Sequence, residues 1–443
     1  MKTNKRLFSI QLFLFLSLLC LWGTKVHAQQ KSASPFHAVV AKDGSGDYAT
    51  VQSAIDAAPE HLKTPWLIFI KNGSYEEQVI VPENKPFIHL IGQDKDRTII
   101  HLKMNVGGKP DANTKDAEYW KYSVHNPQSA VYQLEGSVVT VKAPDFYSEN
   151  ISYVNDWGVE MQNGPQALAM KTKADRIAFH NCIFRSFQDT WMTTTRDPDR
   201  HYANNCWIEG AVDYFYGGGD ALMEQCTFYN VRSGSVIVAP CHQSAKYGYV
   251  FHNCIIDGNK QASNGTLKLG RPWHNSPRAV YINTLVKIPM APEGWTNMGA
   301  IPALFAEYNS MDADGRQLDL SRRKTEYETR GKDIKKGTCR ATITKEEAAR
   351  YTYDNIIKGA DQWDPRSMME PLPSPRNIRM EQGRLQWDAV PGASGYILDV
   401  EGKIVDMTTD ACSLWKPDRK GTVLLIRTVN RYGALGKAAA YYL

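Results

Sequence analysis

The stretch "FHNCIF" at 179–184 decides the fold, because it recurs with small changes along the middle of the chain. Later copies are "ANNCWI" at 203–208, "MEQCTF" at 223–228 and "FHNCII" at 251–256. The same pattern without the cysteine occurs in "SENISY" at 148–153 and "YINTLV" at 281–286. Each unit is short, rich in β-branched and aromatic residues and bounded by turn-forming residues, which is typical of strands.

The spacing of the units predicts a solenoid. Cys182, Cys206, Cys226 and Cys254 follow one another at intervals of 24, 20 and 28 residues, and no long segment of helical periodicity lies between them. A repeat of this length built of short strands favours a mainly β chain that forms a right-handed parallel β-helix. The four cysteines then stack on successive coils as small apolar core residues, and we expect their thiols to be buried and largely unpaired.

The repeat also places two aspartates together. Asp213, in "EGAVDYFYGGGDA" at 209–221, lies seven residues after Cys206, and Asp189 lies seven residues after Cys182. Equivalent positions on adjacent coils are one strand spacing apart, about 4.8 Å. Close carboxylates repel, so one of them holds its proton, as acid–base or nucleophile–acid pairs require. The alternative is that each aspartate ends a strand and hydrogen-bonds local amides.

Gln188 precedes Asp189 directly and sets a condition on the backbone. Neighbouring residues of a strand face opposite sides of the sheet. If Gln188 and Asp189 both serve one site, the chain must bend between them.

Four short blocks and their flanks carry a resemblance to a known family, the pectinesterases (pectin methylesterases, carbohydrate esterase family 8). The blocks "GPQALAM" at 164–170, "FQDTW" at 187–191, "GAVDYFYG" at 210–217 and "LGRPW" at 269–273 resemble its active-site blocks in order. The flanks "VAKDGSGDYATVQSAIDAAP" at 40–59, "GSYEEQVIV" at 73–81 and "TKEEAARYTYDNIIKGADQWDP" at 344–365 resemble its opening, its next segment and its helical tail. The resemblance implies a β-helix enzyme that hydrolyses methyl esters of galacturonate in pectin and releases methanol.

The resemblance also implies catalytic roles. Asp213 matches the family's nucleophile, and Asp189 matches its general acid–base. Gln166 and Gln188 match the donors that stabilise the oxyanion. Arg271 matches the partner that holds the nucleophile ionised, since a guanidinium can bind a carboxylate through two hydrogen bonds.

Aromatic residues are the predicted substrate-binding set. Trp273 and Tyr216 match positions that line the family's cleft. Trp191 stands where a leucine is usual, and Tyr214 and Tyr216 replace phenylalanines of the usual "VDFIFG". Aromatic faces stack on sugar rings, and the glycines of Gly217–Gly219 would let a bulky ligand approach the backbone.

The charge of Asp220 also bears on which substrate the cleft would accept. If it points into the cleft, it repels free carboxylates. We therefore expect a cleft shaped for highly esterified or branched pectic chains.

The two ends of the chain differ from its middle. Residues 1–28 have a basic start, an apolar run and "VHA", as a signal peptide does, so we expect a protein secreted to the periplasm or beyond. The catalytic domain is predicted at 35–369 and a Pro- and Ser-rich linker at 370–377. Residues 378–443 alternate as strands do, with Trp387 and Tyr396 as core candidates, and resemble a fibronectin type III-like β-sandwich module.

Charge and motifs narrow the function. The chain has a formal net charge of +5, of which four charges belong to the predicted leader, so neither nucleic acid nor an anionic membrane is an expected partner. We expect a monomer. We expect no metal or cofactor, since CxxC and HExxH motifs are absent. The absence of a GxSxG elbow argues against a serine esterase. The alternatives are a β-helix glycosidase or lyase, whose carboxylates can be equally close, and a non-catalytic pectin-binding homologue.

Overall fold

Residues 33–114, 117–416 and 421–442 are described by the computed structural model of the chain. The predicted signal peptide therefore lies outside the described residues. Within the described ranges, no helix is long and apolar enough to cross a membrane.

Three long parallel sheets form the body of the molecule, and the chain passes from one to the next on the central coils. The ten-stranded sheet contains Ala38–Val40, Trp66–Ile70, Ile88–Gly92, Phe146–Glu149, Ile177–His180, Arg200–Asn204, Asp220–Glu224, Tyr249–His252, Arg278–Ile282 and Leu304–Tyr308. The nine-stranded sheet contains Gly73–Glu76, Thr98–Leu102, Ser152–Asn155, Ile183–Arg185, Trp207–Gly210, Thr227–Asn230, Ile255–Gly258, Leu285–Val286 and Met311–Asp312. The seven-stranded sheet contains Val79–Val81, Ser137–Val141, Leu168–Thr172, Trp191–Met192, Val212–Gly217, Val236–Pro240 and Lys268–Gly270. The predicted parallel β-helix is confirmed.

Each predicted repeat unit is one corner of a coil. Its first half is a strand of the ten-stranded sheet, and its second half is a strand of the nine-stranded sheet. Between them, one residue adopts a left-handed conformation, which asparagine tolerates better than most residues. In the six predicted units these residues, with φ of 50–58°, are Asn150, Asn181, Asn205, Gln225, Asn253 and Asn283, and Asn309 turns one further coil in the same way.

The predicted cysteine ladder is present in the interior. Cys182, Cys206, Cys226 and Cys254 are buried in the main apolar core, and none forms a disulfide. Their thiols donate hydrogen bonds to backbone carbonyls, as from Cys182 to Ser148 at 3.6 Å, from Cys226 to Ala203 at 3.5 Å and from Cys254 to Met223 at 3.2 Å. Burial raises the pKa of the Cys206 thiol well above its usual range, so the ladder is a packing feature.

The helices are short. Thr50 caps the first, Val51–Ala57, by accepting a hydrogen bond from the Ser53 N–H at 3.2 Å. The other helical segments are the 3-10 turn Glu118–Tyr122, the helices Asp156–Met161, Lys345–Ala348 and Arg366–Met369, and the π-helical turn Asp354–Lys358. The predicted opening helix and helical tail are therefore both present. A hairpin of Glu326–Glu328 and Lys336–Thr338 precedes the tail.

The C-terminal residues form two antiparallel sheets packed on one core. The three-stranded sheet contains Arg379–Glu381, Arg384–Gln386 and Cys412–Ser413, and the four-stranded sheet contains Gly395–Val400, Lys403–Thr408, Val423–Val429 and Ala439–Tyr442. Trp387 and Tyr396 are buried between the two sheets, as predicted for a small β-sandwich. The likeness of this sandwich to fibronectin type III modules stays a prediction.

The tail and the sandwich cover the outer face of the ten-stranded sheet. Ile356 and Trp363 of the tail and Ile397 and Val429 of the sandwich share a buried cluster with side chains of that sheet, among them Ile91. The predicted linker at 370–377 contains no helix or strand, and the Leu372 carbonyl accepts a hydrogen bond from Thr428 at 3.4 Å. The predicted domain boundaries stay predictions. The face that holds the candidate site belongs to a different sheet.

Candidate active site

Asp189 and Asp213 occupy equivalent positions on neighbouring coils. The strand Trp191–Met192 pairs with Val212–Gly217, with Trp191 opposite Phe215. Counting two residues back from that pair brings Asp189 level with Asp213. The Asp189 N–H donates to the Val212 carbonyl at 3.0 Å, which ties the two segments together just before the strands begin.

Both aspartates bend the chain. Asp189 has φ of 63° and Asp213 has φ of 50°, so each adopts the left-handed conformation. Gln188 still bridges to Val212 in parallel fashion, and the bend follows directly after it. This is the change of direction that two adjacent site residues require. A β-bulge between Val212 and Phe215 accompanies the bend at Asp213.

Arg271 grips the Asp213 carboxylate with two hydrogen bonds. The Arg271 Nε donates to Oδ1 at 2.8 Å, and Nη2 donates to Oδ2 at 2.6 Å. Arg271 follows the strand Lys268–Gly270, which lies two strands beyond that of Asp213. Asp213 is buried, and a buried carboxylate is costly unless a charged partner satisfies it. The pair therefore favours an ionised, oriented Asp213.

Asp189 has the opposite electrostatic setting. Burial, and next the negative charge of Asp213, raise the pKa of Asp189 well above its usual range. The neighbouring Tyr216 hydroxyl lowers the pKa of Asp189 and so opposes that shift. The site therefore pairs a proton-holding carboxyl with an ionised one, which is the arrangement that separates acid from nucleophile.

Gln166 and Gln188 lie on adjacent coils beside this pair. Gln166 immediately precedes Ala167, whose N–H donates to the Gln188 carbonyl at 3.1 Å. Both glutamines are half-buried, and neither side-chain amide hydrogen-bonds to a residue that the structure describes. A side chain at Gly164 would come within 3.3 Å of the Gln188 Oε1, so that amide lies over the segment leading to Gln166. Their N–H groups are available to a ligand.

An apolar patch adjoins the carboxylates on the outer face of the seven-stranded sheet. Tyr216 is 8% exposed and packs against Trp273, with ring centroids 5.7 Å apart. Leu168, Met192 and Ala239 complete the patch. The structure thus brings the predicted Tyr216 and Trp273 to the site.

Trp191 and Tyr214 do not reach the site, and their predicted role in substrate binding is wrong. Both are fully buried in the interior of the β-helix. Trp191 alternates with the outward-facing Met192 and stacks on Phe184 at 4.5 Å. Tyr214 is two residues from Tyr216 and would share its face in a regular strand, but the bend and bulge at Asp213 turn it inward.

The expectation of a cleft for esterified or branched chains also depended on Gly217 and Asp220, and the structure gives both residues other roles. A Cβ at Gly217 would lie 2.6 Å from Thr193 Oγ1, so this glycine, at φ of 116°, allows close packing of coils. Asp220 belongs to the ten-stranded sheet and accepts hydrogen bonds from the Tyr247 and Gly248 N–H groups at 2.9 and 2.7 Å. The Asp220 carboxylate is therefore occupied by hydrogen bonds to the backbone.

Sequence reasoning missed the outer patch residues, although a signal for one of them was present. Met192 follows Asp189 by three residues, as Tyr216 follows Asp213, and the two are paired in the sheet. The same spacing rule that joined the aspartates predicts this pair. Leu168 and Ala239 carried no comparable signal, because apolar residues occur on both faces of a coil.

No three His, Cys, Asp or Glu side chains are grouped to hold a metal ion in the part of the chain that the structure describes. The expectation of metal-free catalysis stays a prediction.

Comparisons with known proteins give the family. The Pectinesterase family model matches residues 37–118 and 122–360. Pectinesterase 31 of Arabidopsis thaliana is 34% identical over 266 residues, which are 59% of this chain and 76% of that protein. The putative pectinesterase/pectinesterase inhibitor 26 of the same plant is 28% identical over 357 residues, 78% of this chain but only 33% of that longer protein. The solved pectin methylesterase from carrot is 25% identical, with a TM-score of 0.60 over 77% of this chain and 98% of its own. The chain belongs to the pectinesterase family of carboxylic ester hydrolases.

Proposed function

We propose that this chain hydrolyses methyl esters of galacturonate residues in pectin, with Asp213 as nucleophile and Asp189 as general acid–base. The observation that carries the proposal is the pairing of unlike carboxyls. Arg271 holds both oxygens of Asp213, while burial and the charge of Asp213 keep the proton on Asp189.

The first step forms an acyl-enzyme. An oxygen of the ionised Asp213 attacks the ester carbonyl carbon, and the bond to the methoxy oxygen breaks. The protonated Asp189 donates its proton to that oxygen, so methanol leaves as a neutral molecule. The acid must be protonated before the step, which the raised pKa of Asp189 provides.

Negative charge on the carbonyl oxygen needs donors during this step. Gln166 and Gln188 offer neutral amide N–H groups without partners among the described residues. Such donors stabilise developing charge, and removing one donor from the oxyanion hole of a serine protease costs roughly 10²–10³-fold in kcat.

The second step releases the product. Asp189, now ionised, takes a proton from water, and the water oxygen attacks the acyl carbon. The bond to Asp213 breaks, and both carboxyls return to their starting states. The Tyr216 hydroxyl stabilises the ionised Asp189 through this step.

We also propose that the chain acts outside the cytoplasm, since residues 1–28 have the pattern of a signal peptide and pectin is an extracellular polymer.

Methanol release from methyl-esterified homogalacturonan tests the function, with reducing-end and unsaturated-end formation measured in parallel. We expect methanol without chain cleavage; cleavage without methanol would favour a glycosidase or lyase. If neither methanol nor new chain ends form, a non-catalytic binding role is the remaining alternative. A chelator should leave the methanol rate unchanged.

Variants assign the rate to the site. Asp213→Asn should abolish methanol release, and Gln188→Ala should lower kcat about 10²-fold. Arg271→Lys keeps the positive charge but cannot form both hydrogen bonds to the Asp213 carboxylate, so kcat should fall more than KM changes. Asp314→Asn, on an exposed turn, is the matched control. Full activity of Asp213→Asn would overturn the assignment.

A further inference from the structure

The backbone that follows Gln166 is held by two buried side chains from other segments of the β-helix. The Ser186 hydroxyl donates a hydrogen bond to the Ala167 carbonyl, and the Asn155 Nδ2 donates to the Leu168 carbonyl at 3.0 Å. Ser186 is 2% exposed, and Asn155 is fully buried. Buried hydrogen bonds of this kind favour one backbone arrangement, because leaving either partner unsatisfied is costly.

The main chain of Gln166 is held as well. Its carbonyl accepts a hydrogen bond from the Val106 N–H at 3.1 Å. The N–H of the next residue, Ala167, donates to the Gln188 carbonyl at 3.1 Å. Ala167 therefore binds the segment that carries Gln188 twice, through its N–H to Gln188 and through its carbonyl to Ser186. This one residue joins the coils of both glutamines.

A short helix packs directly against this contact. The Asn155 side chain caps the helix Asp156–Met161 by accepting a hydrogen bond from a helix N–H at 3.1 Å. A Cβ at Gly158, in the first turn of the helix, would overlap the Ser186 Oγ and would lie 2.6 Å from the Phe187 nitrogen. Glycine therefore lets the helix approach this closely and leaves room for the Ser186 hydroxyl.

Fixed backbone positions matter here because an oxyanion donor must be in place before charge develops. Donors that are already oriented stabilise the transition state without a cost of reorganisation. A misplacement of about 1 Å can lower a rate roughly 10²-fold. Since no described residue hydrogen-bonds to the side-chain amide of Gln166 or Gln188, the backbone that carries each amide decides where it lies.

We propose that Ser186 is a positioning residue for the oxyanion donors of the proposed esterase reaction. Its hydroxyl fixes Ala167, and with it Gln166, in one position relative to Gln188. The inference rests on the proposed function and adds to it a residue that acts only through its neighbours. The donor that Ser186 positions stabilises charge that is present only in the transition state. Loss of the hydroxyl should therefore lower kcat and leave KM nearly unchanged.

Methanol release from methyl-esterified homogalacturonan, per folded molecule, measures the effect. Ser186→Ala removes the hydroxyl, and its kcat should fall about 10- to 100-fold with KM within about twofold of the wild-type value. Gly158→Ala leaves Ser186 in place but displaces its hydroxyl, so it should lower kcat in the same way. A wild-type kcat in either folded variant, or a loss that lies in KM alone, would overturn the inference.

A double-mutant cycle separates positioning from a general loss of packing. In a Gln166→Ala background, Ser186→Ala should lower kcat less than about twofold further, because the donor that it positions is gone. An equal loss in both backgrounds would contradict the role. Ser152→Ala is the matched control, since Ser152 is also buried and donates to the Lys95 carbonyl at 2.6 Å in the nine-stranded sheet. It should lower the midpoint of thermal unfolding but keep the wild-type kcat. Absence of methanol release by the wild type would instead overturn the proposed function.

Discussion

At the scale of single residues, the account depends on two aspartates in the same unusual conformation. Asp189 and Asp213 both have left-handed backbones, at φ of 63° and 50°. Such a conformation costs of order 1–3 kcal/mol for a residue other than glycine. The neighbouring hydrogen bonds to Val212 and Arg271 hold it in place. The bends turn both carboxyls toward one outer face.

Asp189→Asn tests the proton on this residue. The amide resembles the protonated acid in shape but cannot transfer a proton, so methanol release should be lost. In the wild type, activity should fall as pH rises through the raised pKa of Asp189, because the first step needs the protonated acid. A pH–rate profile measures this loss. A wild-type rate that rises steadily through the alkaline range would contradict the role.

The same substitution has a defined effect on stability. The folded pKa of Asp189 is raised, so its contribution to folding is present below the unfolded value of about 3.9 and is lost as pH rises through the folded value. Asp189→Asn stays neutral at every pH. Its free energy of unfolding should exceed that of the wild type at neutral pH, with a smaller difference in acid, as denaturant titrations at several pH values would measure.

The sequence predicted the positions of these residues better than their orientations. The seven-residue offset from the cysteines placed Asp189 and Asp213 together, since offsets survive in any regular coil. Trp191 and Tyr214 were misplaced because the face of a side chain depends on local bends. The bulge beside Asp213 inverts the alternation that would have kept Tyr214 with Tyr216.

At the scale of the repeating element, the residue before each ladder cysteine fixes the corner, and it is asparagine in three of the four units and Gln225 in the other. Asn181 donates to the Asn150 side chain at 2.6 Å and accepts from Asn205 at 3.1 Å and Lys95 at 3.0 Å. Its left-handed φ of 50° lets the chain turn from one sheet into the next. The cysteines identify the repeat units in the sequence. The turn itself depends on the left-handed residue before the cysteine, which the pattern of apolar residues does not predict.

Asn181→Ala should lower the free energy of unfolding by about 2–3 kcal/mol, through lost hydrogen bonds and the strained backbone of alanine. Asn181→Gly loses the same hydrogen bonds but tolerates the conformation, so it should cost about 1 kcal/mol less. Chemical denaturation measures both. The kcat of each folded variant should match that of the wild type, and a larger loss with glycine than with alanine would contradict the role of the turn.

The cysteine ladder makes a second prediction at this scale. All seven cysteines in the described residues are unpaired, and six of them are buried. A thiol reagent should therefore react with all seven in the denatured chain that lacks the predicted leader. In the native protein few should react, since the ladder thiols are buried and burial raises the pKa values of Cys182, Cys206 and Cys226. Only one reactive thiol after denaturation would show crosslinks instead of a ladder.

At the scale of the whole molecule, the outer faces of two of the parallel sheets have different roles. The ten-stranded sheet is covered by the tail and the sandwich, while the seven-stranded sheet carries the site on its outer face. The sequence predicted both parts from strand patterns and the Pro-rich break. It could not predict how they pack, because Ile91 and Val429 meet through chain segments far apart in the sequence.

Truncation after residue 372 should leave turnover intact and reduce stability. The removed sandwich contributes Ile397 and Val429 to the buried outer cluster, and each such side chain is worth about 1.5–3 kcal/mol. The midpoint of thermal unfolding and the methanol rate per folded molecule measure the two effects. In the full chain, Gly433→Ala should loosen the same contact, because its Cβ would lie 2.8 Å from Ile91 Cγ1. A folded truncation without turnover would show that the sandwich completes the site.

Trapping the acyl-enzyme tests the central claim, that Asp213 is the nucleophile, most directly. An aryl ester of a galacturonate oligomer needs no acid for its leaving group, so Asp189→Ala should still be acylated but should lack the base that activates water. The account predicts a burst of one equivalent of the aryl alcohol and an added acyl mass on the peptide that contains Asp213. An adduct on another residue, or steady turnover of the aryl ester without any adduct, would contradict it.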